Sequence, residues 1–274
     1  MEIGLSQYSG MEFLQLFGGL SLAAVVAAIW LPNWLRPEGR DQSVTDEGEL
    51  AYLAGGAARH AETIVAGMMA SGALETEGKD KLRSTNPGRS GRGGAGVLTA
   101  RFGAFTWDEA AKALREIAGA LRESLIGRGL IMDRSTSWQV RGLSTLPLLF
   151  VIALGLYRRA AGAALGEPVG FLTIMLFVLG IVTLIRFFAH DPRTRAGRAA
   201  VREAQDRSSR LKRAPMAGET GTAVALFGTA VLVGTPFAPL HAMRQTSSSD
   251  SGSSSSSDSG GSGCGGGGCG GCGG

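Results

Sequence analysis

The segment Phe13–Leu35, FLQLFGGLSLAAVVAAIWLPNWL, contains no charged residue in 23 positions. A helix of this length, rising 1.5 Å per residue, is enough to cross about 30 Å of hydrocarbon. A secretory signal peptide is the alternative, but such a peptide begins with basic residues. The only ionised side chains before this segment belong to Glu2 and Glu12. The sequence therefore predicts a transmembrane helix at 13–35.

The residues that flank this helix predict its orientation. Trp30 and Trp34 are typical of the aromatic belt at a membrane interface, and Arg36 and Arg40 follow directly. Because basic residues favour the cytoplasmic side, we expect residues 1–12 outside the membrane and the next part of the chain in the cytoplasm.

Two further apolar runs predict a membrane hairpin. The run Gly142–Tyr157 has 16 residues and reaches spanning length if it extends to residue 165. That extension requires the Arg158–Arg159 pair to snorkel toward the membrane surface. The second run covers 168–188, and Arg158, Arg159 and Glu167 are expected in the turn between the two runs. We expect transmembrane helices at 142–165 and 168–188.

A basic segment at 190–217 follows the hairpin. Residues His190–Pro215 contain eight basic and three acidic side chains, which is a strong signal for the cytoplasmic side. Nucleic-acid binding is the alternative, but a basic segment beside a bilayer more often determines topology or contacts anionic lipid. We therefore predict a cytoplasmic loop and no nucleic-acid partner.

The segment 221–240 is the candidate for a fourth span. Thr222–Leu240 lacks charge, although it is rich in Gly and Thr and contains Pro236 and Pro239. We favour a spanning helix over a buried or interfacial segment. Four spans that start outside also end outside, so this choice predicts an extracytoplasmic C-terminal tail. With three spans the tail stays in the cytoplasm.

The block 41–137 is polar and nearly neutral, which predicts a soluble cytoplasmic domain. Thr45 is expected to cap a first helix that ends at Gly55–Gly56, and a second helix is expected at Ala57–Ala70. A hairpin that turns at Glu77–Gly78 should follow. The order helix, helix, hairpin is typical of half a winged-helix unit.

The second part of this block predicts a short strand at Val97–Phe102 and then a long helix. Thr106 and Glu109 form a capping box at the start of that helix. The helix ends at 66–75 and 122–133 are alike, each with a Gly cap before an apolar stretch, which suggests a duplicated winged-helix-like half. Neither second helix is basic, which favours protein docking over DNA binding.

Several of these stretches recur together in a family that the chain resembles. They are the N-terminal span, DEGELAYLAGG, ASGAL, RGLI, the membrane hairpin, RTRAG and VALFGTAVL before a Gly/Cys tail. The chain resembles a family of bacterial membrane proteins, of actinobacterial or proteobacterial type, with one uncharacterised domain and low-complexity C-termini. The resemblance covers most of residues 12–240 and implies a multi-pass protein of the bacterial inner (cell) membrane. It also implies a link to multinuclear iron oxygenases that modify cysteines in ribosomally made peptides.

The body of the chain carries no pattern typical of an enzyme. Its three histidines, His60, His190 and His241, have neither a metal-binding spacing nor a catalytic motif around them. We expect His60 on a helix surface and the other two at membrane boundaries. Arg186 lies near the end of its predicted span, where it can snorkel. We therefore predict no catalytic residue.

The three cysteines, Cys264, Cys269 and Cys272, all lie in the Ser/Gly-rich tail 245–274, whose composition predicts disorder. Four interpretations remain open. The thiolates could bind a soft metal such as Cu(I), because three thiolates without a fourth ligand suit it better than structural Zn(II). They could be substrates of a cysteine-modifying enzyme, since each is flanked by Gly. They could exchange disulfides, or they could be incidental.

These observations predict a mainly α integral membrane protein with three to four transmembrane helices. A small helical, winged-helix-like cytoplasmic domain and a disordered tail complete the expected architecture. We expect a non-enzymatic protein without a cofactor, apart from the soft metal that the tail could bind. Its expected role is to present the tail as a modification substrate or thiol/metal ligand while the soluble domain docks a protein partner. The alternative is a membrane-tethered regulator or scaffold with an inert tail.

Overall fold

A computed structural model of the chain describes residues 10–40, 42–78, 81–85, 94–101, 103–164, 170–189, 191–213 and 215–250. The described chain is mainly helical. The helices are α1 Gly10–Leu35, α2 Glu47–Ala70, α3 Gly94–Arg101, α4 Trp107–Gly127, α5 Arg134–Ala164, α6 Gly170–Phe188, α7 Arg195–Arg207, α8 Thr220–Phe227 and α9 Ala238–Asp250. Three short strands, β1 Leu74–Glu77, β2 Lys81–Ser84 and β3 Ala104–Thr106, form one antiparallel sheet in the order β1-β2-β3.

Helices α1, α5 and α6 pack together as a bundle, and each is long and apolar enough to cross a membrane. Each of the three helices contributes to the buried core of the bundle, for example with Phe17, Leu148 and Leu176. Gly155 allows the close approach, because a Cβ at this position would lie 2.7 Å from Leu176 and 2.8 Å from Phe17. The outer faces of all three helices expose large apolar side chains. The three predicted candidate spans are thus confirmed in length and apolar character.

Helix α5 is longer than predicted. It begins at Arg134, eight residues before the apolar run, and Trp138 in this added part packs edge-to-face against Phe187 of α6. The Arg158–Arg159 pair lies inside the helix and not in a turn: Arg158 stacks over the ring of Phe13, and Arg159 donates to the hydroxyl of Thr173. These contacts with α1 and α6 explain how two arginines are accommodated in this position.

The part of the described chain outside the bundle, for which we keep the predicted name soluble domain, begins with α2. This helix consists of two halves joined at a kink. Gly55 and Gly56 have non-helical backbone angles at the predicted break, and Gly56 has a positive φ of 68°. The N-cap is Asp46, whose carboxylate accepts from Glu49 N–H at 2.9 Å, and not the predicted Thr45. The predicted hairpin is also present, with Glu77 paired to Lys81 and Gly78 at a positive φ in the turn.

The predicted strand at Val97–Phe102 is wrong. Most of this segment belongs to α3, which buries Leu98 against the soluble core. The strand lies further along, where β3 pairs with β2 and buries Phe105. A strand needs a hydrogen-bonded partner, and Ala104–Thr106 occupies the free edge of β2. The capping box of Thr106 and Glu109 then starts α4 as predicted.

The helix ends of α2 and α4 have the same geometry. Gly72 and Gly129 have φ near 72°, and each donates to the carbonyl three residues back. The residue after each glycine donates to the carbonyl five residues back, as in a Schellman cap. The continuations differ, because only the first end leads into a hairpin in the described chain. The second leads into a single bridge between Ile131 and Arg193.

The segments predicted as a loop at 190–217 and a fourth span at 221–240 belong to the soluble domain. Residues Arg195–Arg207 of the first form α7, whose Val201 and Ala204 pack in the core. The second is broken into α8, a 3-10 turn at Thr229–Leu232 and the start of α9. At about 12 Å, α8 is too short to cross a membrane, and Ala223, Val224 and Ala225 are fully buried in the domain. The expected fourth span is therefore a buried segment.

Candidate functional site

The tail cysteines Cys264, Cys269 and Cys272 lie outside the described residues. The described chain ends with α9, so the site from which the tail departs can be located. That site is the soluble domain and not the far end of the membrane bundle, because α9 packs against α4 and the turn at Thr229–Leu232. Two features of the structure bear on function: the anchoring of α9, and the place where the bundle meets the soluble domain.

Helix α9 is held by buried apolar contacts and by an ion pair. Leu240 and Met243 belong to the same core cluster as Leu114 of α4. Arg244 donates to the carboxylate of Glu62 at 2.7 Å, and Glu62 also pairs with Arg59 at 3.3 Å. The side chain of Glu62 is 7% exposed, so removing either arginine would leave a buried carboxylate with one less partner. The chain is therefore fixed in place immediately before the tail.

The described chain passes between bundle and soluble domain at three places, and hydrogen bonds join all three. We call residues 36–40, 128–133 and 191–198 the junction. Thr194 N–H donates to Leu130 O at 3.1 Å, and Thr194 Oγ1 donates to Gly129 O at 2.9 Å. Arg195 N–H donates to Pro37 O at 3.0 Å. The start of α7 therefore binds both the linker after α1 and the segment before α5.

Asp191 is the charged centre of the junction. Its Oδ1 accepts from the backbone N–H and the side chain of Arg193, each at 2.9 Å. Its Oδ2 accepts from Arg198 at 2.8 Å and from Arg36 at 3.3 Å. Burial alone would raise the pKa of Asp191, but the arginines, Arg193 foremost, and the backbone N–H lower that pKa to about 2. The carboxylate of Asp191 thus accepts hydrogen bonds from three guanidinium groups.

Arg36 is the most buried of these arginines. Its guanidinium also donates to Arg193 O, and its side chain is 4% exposed. Burial lowers the pKa of Arg36 from its ordinary value, and Asp191 opposes that effect. Nε of Arg36 is buried and makes no hydrogen bond in the described structure.

Arg186 of α6 does not simply snorkel, as the sequence suggested. Its Nη2 donates at 2.8 Å to the carbonyl oxygen of Ala28 in α1. Residue 32 of α1 is a proline, which has no N–H to donate to the carbonyl four residues back. Arg186 therefore supplies the hydrogen bond that Pro32 cannot make, and it joins α6 to α1.

A cavity of about 150 Å³ lies beside these arginines, where α1 and α6 end and α7 begins. Its lining combines the helix ends with the charged centre of the junction. The lining residues are Ile29, Pro32, Asn33, Arg36, Ser144, Arg186, Ala189, Asp191 and Arg198. No sequence pattern predicted this cavity, because its residues come from three distant segments of the chain.

The described histidines are not where the sequence placed them. His60 is buried, not on a helix surface, and its Nδ1 lies 3.2 Å from Gly48 O. Burial lowers the pKa of His60, and its Nε2 is buried without a hydrogen bond in the described structure. His241 lies in α9 of the soluble domain, with Nδ1 3.0 Å from the hydroxyl of Thr229. His190 lies outside the described residues.

Among the described residues, no three His, Cys, Asp or Glu side chains are grouped closely enough to hold a metal ion. The thiols that the sequence analysis considered as ligands lie beyond Asp250, outside this part of the chain.

Comparison with known proteins finds no matching protein-family model and no significantly similar curated protein or solved structure. The family resemblance drawn from the sequence therefore stays a prediction.

Proposed function

We propose that this protein is a non-enzymatic membrane anchor that presents its Gly/Cys-rich tail beside its soluble domain. The observation that supports the proposal is the position of α9. Leu240 and Met243 are buried in the soluble core, and the helix continues to Asp250, so residues 245–250 of the predicted disordered tail are helical. A chain held in this way leads the cysteines away from a fixed point on the domain.

The same observation changes the proposed side of the tail. With α8 buried in the soluble domain, three spans remain. If residues 1–12 are outside, three crossings place the soluble domain and the tail together in the cytoplasm. This replaces the extracytoplasmic tail that four spans implied. The cytoplasm keeps thiols reduced, which favours a modification substrate or a Cu(I) ligand over a disulfide at Cys264, Cys269 and Cys272.

The soluble domain, in this proposal, is a winged-helix-like module that docks a protein such as a cysteine-modifying enzyme. The order of α2 followed by the β1–β2 hairpin supports the winged-helix description. The exposed face of the hairpin carries Glu75 and Glu77 against Lys81 and Arg83. Such a balanced surface suits a protein partner better than the phosphates of a nucleic acid.

The test is the intact mass of the C-terminal fragment of protein purified from its native host. The fragment is released by cleavage after Arg244 in denaturant, because folding pairs this arginine with Glu62. We expect a mass shift, or tight Cu(I) binding by the intact protein, that disappears when all three cysteines are changed to serine. An unmodified tail that also fails to bind Cu(I) would refute the proposal.

A truncation distinguishes presentation from regulation by the soluble domain. The deletion should begin at residue 251 and not at 246, because α9 extends to Asp250 and Thr246 still bonds to Met243 O. Presentation predicts that this deletion and the triple serine variant lose function equally. A protein that keeps its function after both changes acts through its soluble domain, and its tail is inert.

A further inference from the structure

The cavity at the junction has a net positive lining. Arg36, Arg186 and Arg198 contribute three guanidinium groups, and Asp191 is the only carboxylate among the lining residues. Both oxygens of that carboxylate already accept hydrogen bonds, as described above. The remaining positive charge is therefore not neutralised by the described residues around the cavity.

The lining also contains a buried donor that has no acceptor. The Arg36 side chain is 4% exposed, and its Nε is among the buried atoms without a hydrogen-bond partner. Leaving such a group unpaired is costly because its lost hydration is not replaced. The described residues therefore leave part of the donor capacity of Arg36 unused.

The position of the cavity indicates which kind of anion would reach it. Ile29 and Pro32, near the end of α1, line it. At the same end of α1, Trp30 and Trp34 are 66% and 78% exposed, as expected for side chains at a membrane interface. Basic pockets between membrane helices on the cytoplasmic side are suited to anionic lipid headgroups.

We propose that this cavity binds the phosphate group of an anionic phospholipid, with Arg36, Arg186 and Arg198 as its donors. Guanidinium groups match the geometry of phosphate oxygens. A volume of about 150 Å³ is far more than one water molecule requires. Free inorganic phosphate would bind the same donors, so the test has to distinguish it from a lipid headgroup. The inference does not depend on the tail.

The experiment measures lipid retention by the full chain in detergent, using native mass spectrometry. Phosphatidylglycerol is the anionic probe, and phosphatidylcholine is the zwitterionic comparison. Arg198→Gln removes one donor from the cavity wall. Arg202→Gln is the matched control, because Arg202 is an exposed arginine on the same helix and does not line the cavity. Circular dichroism and thermal melting verify that both variants are folded.

We expect the full chain to prefer phosphatidylglycerol, and Arg198→Gln to weaken its retention roughly tenfold. Arg202→Gln should leave retention unchanged. Equal loss in the two variants would overturn the proposal, because it would reduce the effect to overall charge. Retention of phosphatidylcholine at the same level would overturn it as well.

A second variant covers the case in which Arg198→Gln fails to fold. Ser144→Leu fills the cavity and leaves every arginine in place, so it should exclude phosphatidylglycerol as effectively. Unchanged retention in Ser144→Leu would place the lipid elsewhere and overturn the proposal. Inorganic phosphate is the remaining arm of the test. Displacement of the lipid by millimolar phosphate would overturn the lipid source and make free phosphate the ligand.

Discussion

The guanidinium of Arg186 lies 2.8 Å from the carbonyl oxygen of Ala28, the carbonyl that Pro32 leaves without a helical donor. The two residues belong to different candidate spans and are 158 positions apart in the chain. A charge in one helix thus compensates for a defect in another. This relationship leads to the first prediction.

Replacing Arg186 by Met should destabilise the protein by about 1.5–3 kcal/mol, the range for a hydrogen bond from a charged group. In a Pro32→Ala background, residue 32 regains an N–H for Ala28 O, so the same replacement should cost less. A double-mutant cycle on the free energy of unfolding in detergent measures the difference. Identical costs in both backgrounds would show that the bond to Ala28 does not contribute.

Asp191 should make the protein sensitive to acid. The pKa of an unfolded aspartate is about 3.9, and in the folded protein the pKa of Asp191 is about 2. The unfolded chain therefore takes up this proton first as the pH falls. The stabilisation is complete above about pH 5 and disappears as the pH falls through 2, a loss of about 2.5 kcal/mol.

The measurement for Asp191 is the free energy of unfolding from pH 5 to pH 2. In Asp191→Asn, the free energy of unfolding should no longer contain the acid-dependent contribution of this residue. The variant should also be less stable by about 3–5 kcal/mol at neutral pH, because three arginines lose their shared carboxylate. Asp206→Asn, an exposed change on α7, is the control. Parallel pH profiles for the protein and Asp191→Asn would contradict the prediction.

Gly197 should not tolerate a side chain. A Cβ at this position would lie 2.2 Å from the carbonyl oxygen of Leu130, a backbone atom that cannot rotate away. Gly197→Ala should therefore force α7 from the junction and cost about 1–3 kcal/mol. Gly119→Ala, within α4 and with no atom within 4 Å of its Cβ, should instead stabilise the protein by about 0.5–1 kcal/mol. Thermal denaturation measures both effects: the melting temperature should fall in Gly197→Ala and rise in Gly119→Ala.

His60 should make the soluble core less stable in mild acid. Burial lowers the pKa of His60, and the contact of its Nδ1 with Gly48 O and the charge of Asp46 only partly oppose this effect. The unfolded histidine, with a pKa of about 6.5, binds the proton more readily than the folded one. Stability is therefore complete above pH 6.5 and decreases as the pH falls below it.

Hydrogen exchange in α2 at pH 7.5 and pH 5.5, corrected for the intrinsic exchange rate, measures this effect. The protection of α2 should decrease between the two conditions. In His60→Gln, which cannot titrate, the protection should stay constant. A decrease of the same size in both proteins would assign the pH dependence to another group.

The sequence predicted those features that depend on neighbouring residues. The three apolar runs, the capping box of Thr106 and Glu109 and the break at Gly55–Gly56 can be recognised locally, and the structure contains them. The segment 221–240 could not be recognised in this way. An uncharged helix suits a lipid environment and a protein core equally well. Only the packing of α8 against α2 decides between them.

The junction was unpredictable for the same reason. Arg36 and Asp191 are 155 positions apart, and Arg186 read in isolation is an arginine near the end of a span. Its role depends on a carbonyl in α1 whose defect is caused by Pro32. The strand β3 was misplaced because its partner β2, and not its own composition, determines which residues pair. These features arise from tertiary contacts between distant segments.

The division of the soluble core between two parts of the sequence has a consequence for biosynthesis. Arg59 of α2 and Val224 of α8 are hydrogen-bonded across 165 positions, and both helices of the membrane hairpin are encoded between them. A ribosome therefore exposes the apolar face of α2 well before it has made α8. The domain can be completed only after the hairpin has been synthesised, so the nascent chain is open to chaperones and proteases until then.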